Sequence, residues 1–192
     1  ASKAMMMVIL AFMVGMILPT ALLVAMEFLD SSLKKPEQAS EQTKLKVGGI
    51  LPKQRRNLKR AKVDFEAVNK QALNIFIQQI RAETKGLDTP KRVNIISTQR
   101  SEGKEYLISQ LKNYFTKYLS IDEDSPNKEF EFHKVASILH EPYSEAVVKQ
   151  ADVHILVARA NRNWTPADEH AVKVYAKLAG KKPLLFLNGV ST

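Results

Sequence analysis

A glycine and a lysine stand together in the stretch STQRSEGKEYLISQL, residues 97–111, between an apolar run and a helical pattern. This is the place of a phosphate-binding loop, in which glycines let backbone N–H groups surround the phosphates and the lysine neutralises their oxygens. A working loop also has an earlier glycine and, after the lysine, a serine or threonine that binds Mg²⁺. Here the earlier glycine is missing and Glu105 replaces the hydroxyl residue. Gly103 and Lys104 are therefore the candidate cofactor-binding residues of an incomplete loop.

The metal side of such a site is also incomplete. Glu105 brings negative charge toward an anionic ligand, and its length would displace a bound Mg²⁺ from the usual place. The candidate strand EFEFHKVAS, residues 129–137, contains no aspartate, while Asp122 and Asp124 follow the preceding helix too closely to be expected ligands. We expect no metal site, no catalytic residue and no productive binding of ATP and Mg²⁺. The structural alternative is an ordinary surface lysine beside a turn glycine.

The histidines do not suggest another centre. Their spacing does not match a zinc site, and no serine or cysteine nucleophile accompanies them in a known motif. The sequence contains no cysteine, which excludes thiolate metal sites and disulfide scaffolds and fits a cytoplasmic domain. We expect structural roles for all four: His133, His140, His154 and His170.

The elements that would position the loop alternate between strands and helices. Apolar residues recur every three or four positions from Phe65 to Ile80, and the same spacing returns in residues 107–119. Residues 165–180 carry a capping threonine, an early proline and a closing glycine. Strands separated by helices predict a parallel sheet with helices on both faces, an α/β fold like a reduced P-loop NTPase. The predicted strands are residues 92–97, 129–132, 154–158 and 183–188.

The chain begins with an apolar segment. Residues 4–26 contain no charged side chain, and as a helix they are long enough to cross a bilayer of about 30 Å. The segment is too long for a signal peptide and has no polar face, so we predict a transmembrane helix within residues 1–29. The absence of an initiator methionine suggests a piece of a longer protein or a trimmed chain.

A basic segment follows, and it accounts for most of the net charge of +9. We interpret residues 30–62 as a juxtamembrane linker without a core of its own, whose run KQRRNLKRAK also contacts anionic membrane lipids. Basic residues beside a span stay in the cytoplasm, which places residues 63–192 there. Because those residues carry 18 basic and 16 acidic side chains, no nucleic-acid partner is expected.

Several stretches together resemble the bacterial tyrosine kinases that are fused to polysaccharide co-polymerases. They are AMEFLDSSLKKPEQ after the span, KVGGILPK, the IIST and EGK segments of the loop, and the unit from ADVHILVARANRNWTPADEHAVKVYAKLAG to LLFLNGV. The resemblance covers nearly the whole chain. It implies a homo-oligomer in the bacterial inner membrane that takes part in exopolysaccharide or capsule synthesis, chain-length control or export, with the polymerase and export machinery as partners.

The departures from that family imply a degenerate kinase. Gly103 and Lys104 match the family's loop, whereas Ser101 and Glu105 do not, and the stretch before HILVA is shorter by about one strand–helix unit. The family's tyrosine-rich tail is also missing. We therefore expect residues 63–192 to be a pseudokinase that acts as an oligomerisation or regulatory scaffold.

Two alternatives remain open from the sequence. One is an active, ATP-dependent tyrosine autokinase that uses Lys104 and modifies Tyr106, Tyr114 or Tyr118, which are equally well placed for packing. The other is a membrane-tethered ATPase of the partitioning type, a class to which these kinases are similar.

Overall fold

The computed structural model describes residues 3–29, 32–53, 64–121 and 128–190. The chain divides into two units, residues 1–31 and residues 32–192. The elements, in chain order, are α1 (Lys3–Leu29), α2 (Pro36–Thr43), β1 (Val47–Pro52), α3 (Phe65–Glu83), β2 (Lys91–Ser97), α4 (Lys104–Leu119), β3 (Phe130–Ser137), α5 (Glu145–Lys149), β4 (Val153–Arg159), α6 (Pro166–Ala179) and β5 (Leu184–Val190).

The first unit is the apolar helix α1, with Pro19 inside it. Its segment Lys3–Ala25 is, among the described residues, the one helix that is long and apolar enough to cross a membrane. The described side chains of this segment are all exposed within the unit. An apolar helix without a buried face needs an apolar surrounding, so the helix could span a bilayer.

The second unit is built on a parallel sheet. Its five strands lie in the order β1-β5-β4-β2-β3, and every pairing between them is parallel. Side chains alternate across the sheet, so that Ile95 packs with α3 and α4 on one face while Ile96 packs with α2 and α6 on the other. The predicted α/β fold is confirmed, and its four predicted strands coincide with β2 to β5 apart from residues at their ends.

The segment after α1 differs from the predicted linker. Within the described residues 32–53, α2 and β1 belong to the folded unit, and Leu33, Leu45 and Leu51 are buried. β1 escaped the sequence analysis because its position depends on pairing with β5, far along the chain. A Cβ on Gly49 would lie 2.6 Å from the Phe76 ring, so the glycine allows the strand to approach α3. Residues 54–63, with most of the basic run, lie outside the described residues.

Parallel strands bring their carboxyl ends to one edge of the sheet. The connection from β2 to α4, the end of β3 and the connection from β4 to α6 therefore lie at the same edge. Open α/β sheets bind ligands at this edge. The fold thus places the glycine–lysine loop where a functional site is expected.

Candidate functional site

The glycine of the loop is required by its packing. Gly103 has a φ of +97°, and a Cβ added to it would lie 2.1 Å from Asn188 Nδ2 on β5. The same amide nitrogen donates a hydrogen bond of 3.2 Å to the carbonyl oxygen of Glu102. A glycine is therefore needed here for the turn and for contact with the sheet, whether or not a phosphate binds.

The lysine of the loop is turned toward β3. Lys104 Nζ donates to the carbonyl oxygen of Val135 at 2.6 Å and to Ser137 Oγ at 3.3 Å. Burial lowers the pKa of Lys104, and the neighbouring Lys134 lowers it further, while nearby carboxylates oppose the change. Lys104 is therefore half-buried and links α4 to β3 through hydrogen bonds. It is neither a solvated surface lysine nor a side chain available to bind a phosphate.

The residue after the lysine points outward. The Glu105 carboxylate accepts a hydrogen bond of 2.7 Å from Lys134 Nζ, and this bond lowers the pKa of Glu105. Arg100 Nε lies 3.3 Å from Glu141 Oε1 on the same rim. On the rim of the cleft, which encloses about 610 Å³, Arg100 and Lys134 thus already face carboxylates of the same chain, and the exposed Arg159 is also part of the lining.

Glu102 is the residue of this loop that the sequence analysis missed. Its side chain is only 2% exposed, and one carboxylate oxygen lies 2.7 Å from Arg162 Nε. The other oxygen accepts a hydrogen bond from the backbone N–H of Arg159, at the end of β4. Burial raises the pKa of Glu102, and Arg162 acts against that shift. The loop therefore supplies a buried anion of its own.

Arg162 connects the loop to the start of α6. Besides facing Glu102, its guanidinium donates to both carboxylate oxygens of Asp168, at 2.9 and 3.0 Å, and to Thr98 Oγ1 at 2.6 Å. Burial alone would raise the pKa of Asp168, but hydrogen bonds from Arg162, Thr165 and Thr98 outweigh it and hold the pKa far below its ordinary range. Thr98 occupies the place of the missing first glycine, so even this position belongs to the network.

No local signal in the sequence could have revealed this network. Glu102 and Arg162 are far apart in the sequence and become neighbours only because β2 and β4 are adjacent in the sheet. The capping pattern at Thr165 and Asp168 was visible, and the structure confirms it as a reciprocal capping box.

The four histidines differ in exposure, and three of them lie at the surface. His154 is buried, and its Nδ1 lies 2.9 Å from the Tyr175 hydroxyl. Burial, with Lys181 adding to the effect, lowers the pKa of His154 to about 4. His140 Nε2 lies 2.6 Å from Gln99 Oε1 in the loop. In the part of the chain that the structure describes, no three His, Asp or Glu residues are grouped so as to hold a metal ion.

The three tyrosines of α4 differ in access. Tyr114 is buried and its hydroxyl donates to Asn74 Oδ1 at 3.3 Å. Tyr118 donates to Glu66, with the ammonium group of Lys70 over its ring at 4.3 Å. Tyr106 is 40% exposed and is the most accessible of the three.

Two residues that a working magnesium–nucleotide loop needs are replaced in this chain. The first glycine is replaced by Thr98, whose hydroxyl accepts from Arg162, and the Mg²⁺ hydroxyl ligand is replaced by Glu105. Lys104 is engaged with β3, and Glu102 adds a buried negative charge to the loop. The geometry supports a closed structural junction between four elements, β2, α4, β3 and α6.

The order of the strands and the helices on both faces define an open, parallel α/β domain. Tyrosine kinase domains are among the solved structures that have a similar fold. The chain superposes on the kinase domain of the Escherichia coli tyrosine kinase ETK with a TM-score of 0.61 and 12% identity, covering 83% of this chain and 95% of that one. For the BceF tyrosine kinase domain the TM-score is 0.52 and the identity 11%, over 83% and 99%.

These likenesses confirm the predicted resemblance at the level of the fold. Residues 32–192 contain a domain that is similar in structure to bacterial tyrosine kinase domains. The sequence matches no family model and no curated protein. The fold alone does not carry an activity, which has to be argued from the site.

Proposed function

We propose that this chain is a membrane-anchored, tyrosine-kinase-like domain that does not turn over ATP and acts as a scaffold. The observation that carries this proposal is the closed loop. Lys104, Glu102 and Thr98, which stand where a triphosphate would be held, are all bound to groups of the same chain. Binding a nucleotide would require breaking these contacts before any phosphate is gained.

Electrostatics supports the same conclusion. At an effective dielectric constant of about 20, two like charges 4 Å apart repel by about 4 kcal/mol. A phosphate in the loop would approach Glu102, whose charge is already offset by Arg162, and Glu105 on the rim. Lys104 would have to give up its bonds to Val135 and Ser137. Three of the four cations that line the cleft thus already contact carboxylate or backbone oxygens of the same chain, and a triphosphate would have to compete with these contacts.

The biological setting follows from the anchor and from the family resemblance. α1 would hold the chain in the bacterial inner membrane with the kinase-like domain in the cytoplasm, and the basic run before α3 would contact anionic lipids. By analogy with the polysaccharide co-polymerases, the domain would associate with copies of itself. It would help the polymerase and export machinery to set the length or the export of an exopolysaccharide or capsule.

Equilibrium binding of a fluorescent ATP analogue tests the proposal. The full chain is placed in lipid nanodiscs and titrated with the analogue in the presence of Mg²⁺, alongside Lys104→Ala and, as a matched control, Lys177→Ala on α6. We expect no saturable binding by any of the three. Micromolar binding that Lys104→Ala abolishes and Lys177→Ala leaves intact would contradict the scaffold proposal.

An active autokinase is the second candidate, because one part of a working loop is retained. Gly103 has the left-handed conformation and Lys104 begins α4, and the accessible Tyr106 follows two residues later. Incubation with ATP and Mg²⁺ followed by mass spectrometry separates the candidates. Phosphotyrosine that disappears in Lys104→Ala would favour the kinase, whereas unmodified tyrosines support the scaffold.

A further inference from the structure

The strand β3 forms one edge of the sheet. Its ladder with β2 pairs Lys91 with Phe130 and Val93 with Phe132, and the N–H of Lys91 donates to the carbonyl oxygen of Glu129. In a parallel ladder of this register, the backbone groups of residues 129, 131 and 133 point toward β2. Those of residues 130, 132 and 134 point away from it, to a side where the described residues place no strand.

The two faces of this edge have different side chains. On the α4 side, Phe130 and Phe132 pack against Phe115 with ring centroids 6.0 and 6.1 Å apart, beside a groove of about 270 Å³. On the opposite face Glu131 and His133 are part-exposed, and the Glu131 carboxylate lies 3.6 Å from the His133 imidazole. Among the described residues, the edge therefore offers backbone groups without a strand partner, between an aromatic stripe and a polar row.

The charges along the strand are ordered so that the edge complements itself. In EFEFHK, residues 129–134, the acidic residues come first and the basic residues follow. If two copies run antiparallel about a two-fold axis at Phe132, Glu131 of each copy faces His133 of the other. The two Phe132 side chains then face each other, on the same side as the facing pairs of Phe130 and Lys134.

This register is also the one that the charges select. Moving the axis to residue 131 places the two Glu131 carboxylates opposite each other, and moving it to residue 133 removes the contact between Glu131 and His133 of the other copy. Like charges in directly opposite positions destabilise a strand pair, while opposite charges stabilise it. Of these three alignments, the sequence of the strand favours the one centred on Phe132.

We propose that the free edge of β3 pairs antiparallel with β3 of a second copy, joining two sheets into one continuous sheet of ten strands. The contact is short, so a shared membrane would contribute by raising the local concentration of the domains. This pairing rests on the self-association of the proposed function and names β3 as the surface through which the copies associate. Its central residues Glu131, Phe132 and His133 do not belong to the nucleotide loop, whereas Lys134 at its end binds Glu105 of that loop.

Cysteine cross-linking tests the alignment, and the chain has no native cysteine to interfere. Glu131→Cys and His133→Cys chains are prepared separately and then mixed in lipid vesicles under mild oxidation. Directly opposite residues of a non-hydrogen-bonded pair have Cα atoms about 4.5 Å apart, within the range of a disulfide. We expect at least ten-fold more dimer in the mixture than in either variant alone.

The matched control is Val174→Cys, whose side chain is 49% exposed on α6, away from the edge. Mixed with either β3 variant, it should give no dimer above background. Equal cross-linking of the mixture and of these controls would overturn the proposal. Circular dichroism of each variant establishes beforehand that it is folded.

Exchanging the side-chain charges at the proposed contact provides a second, independent test, in which energy transfer between copies is measured. In chains that carry a fluorescent donor or acceptor at an added cysteine on α6, Glu131→Lys or His133→Glu alone should reduce energy transfer between copies several-fold. The double variant, Glu131→Lys with His133→Glu, should restore it, because the facing charges are again opposite. A double variant as weak as the single ones would contradict the alignment, whatever the nucleotide titration shows.

Discussion

Two connections at the carboxyl ends of the strands, each leading from a strand into a helix, stabilise the start of that helix in different ways. The one from β4 to α6 begins with a side-chain cap, in which Thr165 and Asp168 bind each other's backbone N–H groups. The one from β2 to α4 begins at Gly103, without a side-chain cap. Its stability comes instead from contacts to other elements, through Glu102 and Lys104. The start of α6 is stabilised by local contacts, whereas the start of α4 depends on tertiary contacts.

Arg162 makes the two connections depend on each other. Its guanidinium faces the carboxylate of Glu102 from one connection and that of Asp168 from the other. Because both carboxylates are buried, each needs a cation or several donors nearby. A loop that would otherwise be free to receive a ligand is in this way bound to its neighbour.

Removal of the shared cation should have the largest effect. Arg162→Met leaves two buried carboxylates without their partner, and we expect the free energy of unfolding to fall by about 3–5 kcal/mol. Urea unfolding of the full chain in detergent micelles, followed by circular dichroism, measures the change. The control is Arg159→Met, because the exposed Arg159 binds Glu102 through its backbone N–H, which the substitution keeps, and its side-chain charge acts on Glu102 less strongly than that of Arg162. Similar losses in both variants would contradict the role given to Arg162.

Replacement of the two glutamates of the loop compares a buried carboxylate with an exposed one. Glu102→Gln weakens charge-assisted contacts in a buried position and should cost about 2 kcal/mol. Glu105→Gln changes an exposed ion pair with Lys134 and should leave the unfolding midpoint unchanged. The same unfolding measurement distinguishes them. If Glu105→Gln proved the more damaging, the assignment of Glu102 as the internal anion would be wrong.

Thr165→Ala should have a smaller effect on stability than Arg162→Met or Glu102→Gln. It removes the cap of α6 and should cost about 1 kcal/mol in urea unfolding. Ser144→Ala is its matched control, since Ser144 stands at the start of α5 but makes no capping hydrogen bond. The control should unfold at the wild-type urea concentration. A loss in Ser144→Ala equal to that in Thr165→Ala would mean that the cap of α6 is not the cause.

The two connections should also respond to acid with opposite signs. The pKa of Glu102 is raised above 4.5 by burial, so the folded state takes up a proton first and gains stability as the pH falls through that pKa. The pKa of Asp168 is lowered from 3.8, so its contribution is lost as the pH falls below 3.8.

The two responses to acid can be measured as differences in unfolding free energy between wild type and variant, so absolute stabilities are not needed. The difference in unfolding free energy between wild type and Glu102→Gln should shift in favour of wild type as the pH falls from 7 toward 4.5. For Asp168→Asn the difference should stay constant over that range and shrink below the ordinary pKa of the carboxyl. Chemical unfolding at each pH provides both curves. Parallel curves for the two variants would refute the assigned environments.

The sequence predicted the elements whose signals are local. Four strands, the helix from Phe65, the helix after the loop and the cap of α6 follow from periodicity and capping residues within about fifteen positions. β1 was missed because VGGILP, with two glycines and a proline, has a weak strand propensity and is held by β5. The burial of Glu102 was missed for the same reason, since its partner Arg162 lies on another connection.

The position of β5 has a consequence for the order in which the sheet can form. β5 lies between β1 and β4, so β1 has no neighbouring strand in the described sheet until β5 has been synthesised. Residues 53–183 separate the two, a delay of several seconds to about half a minute at about 5–20 residues per second. If the chain left the ribosome before Leu184 had been added, β1 and the side of β4 that pairs with β5 would be exposed. Completion of the domain therefore depends on its last described strand.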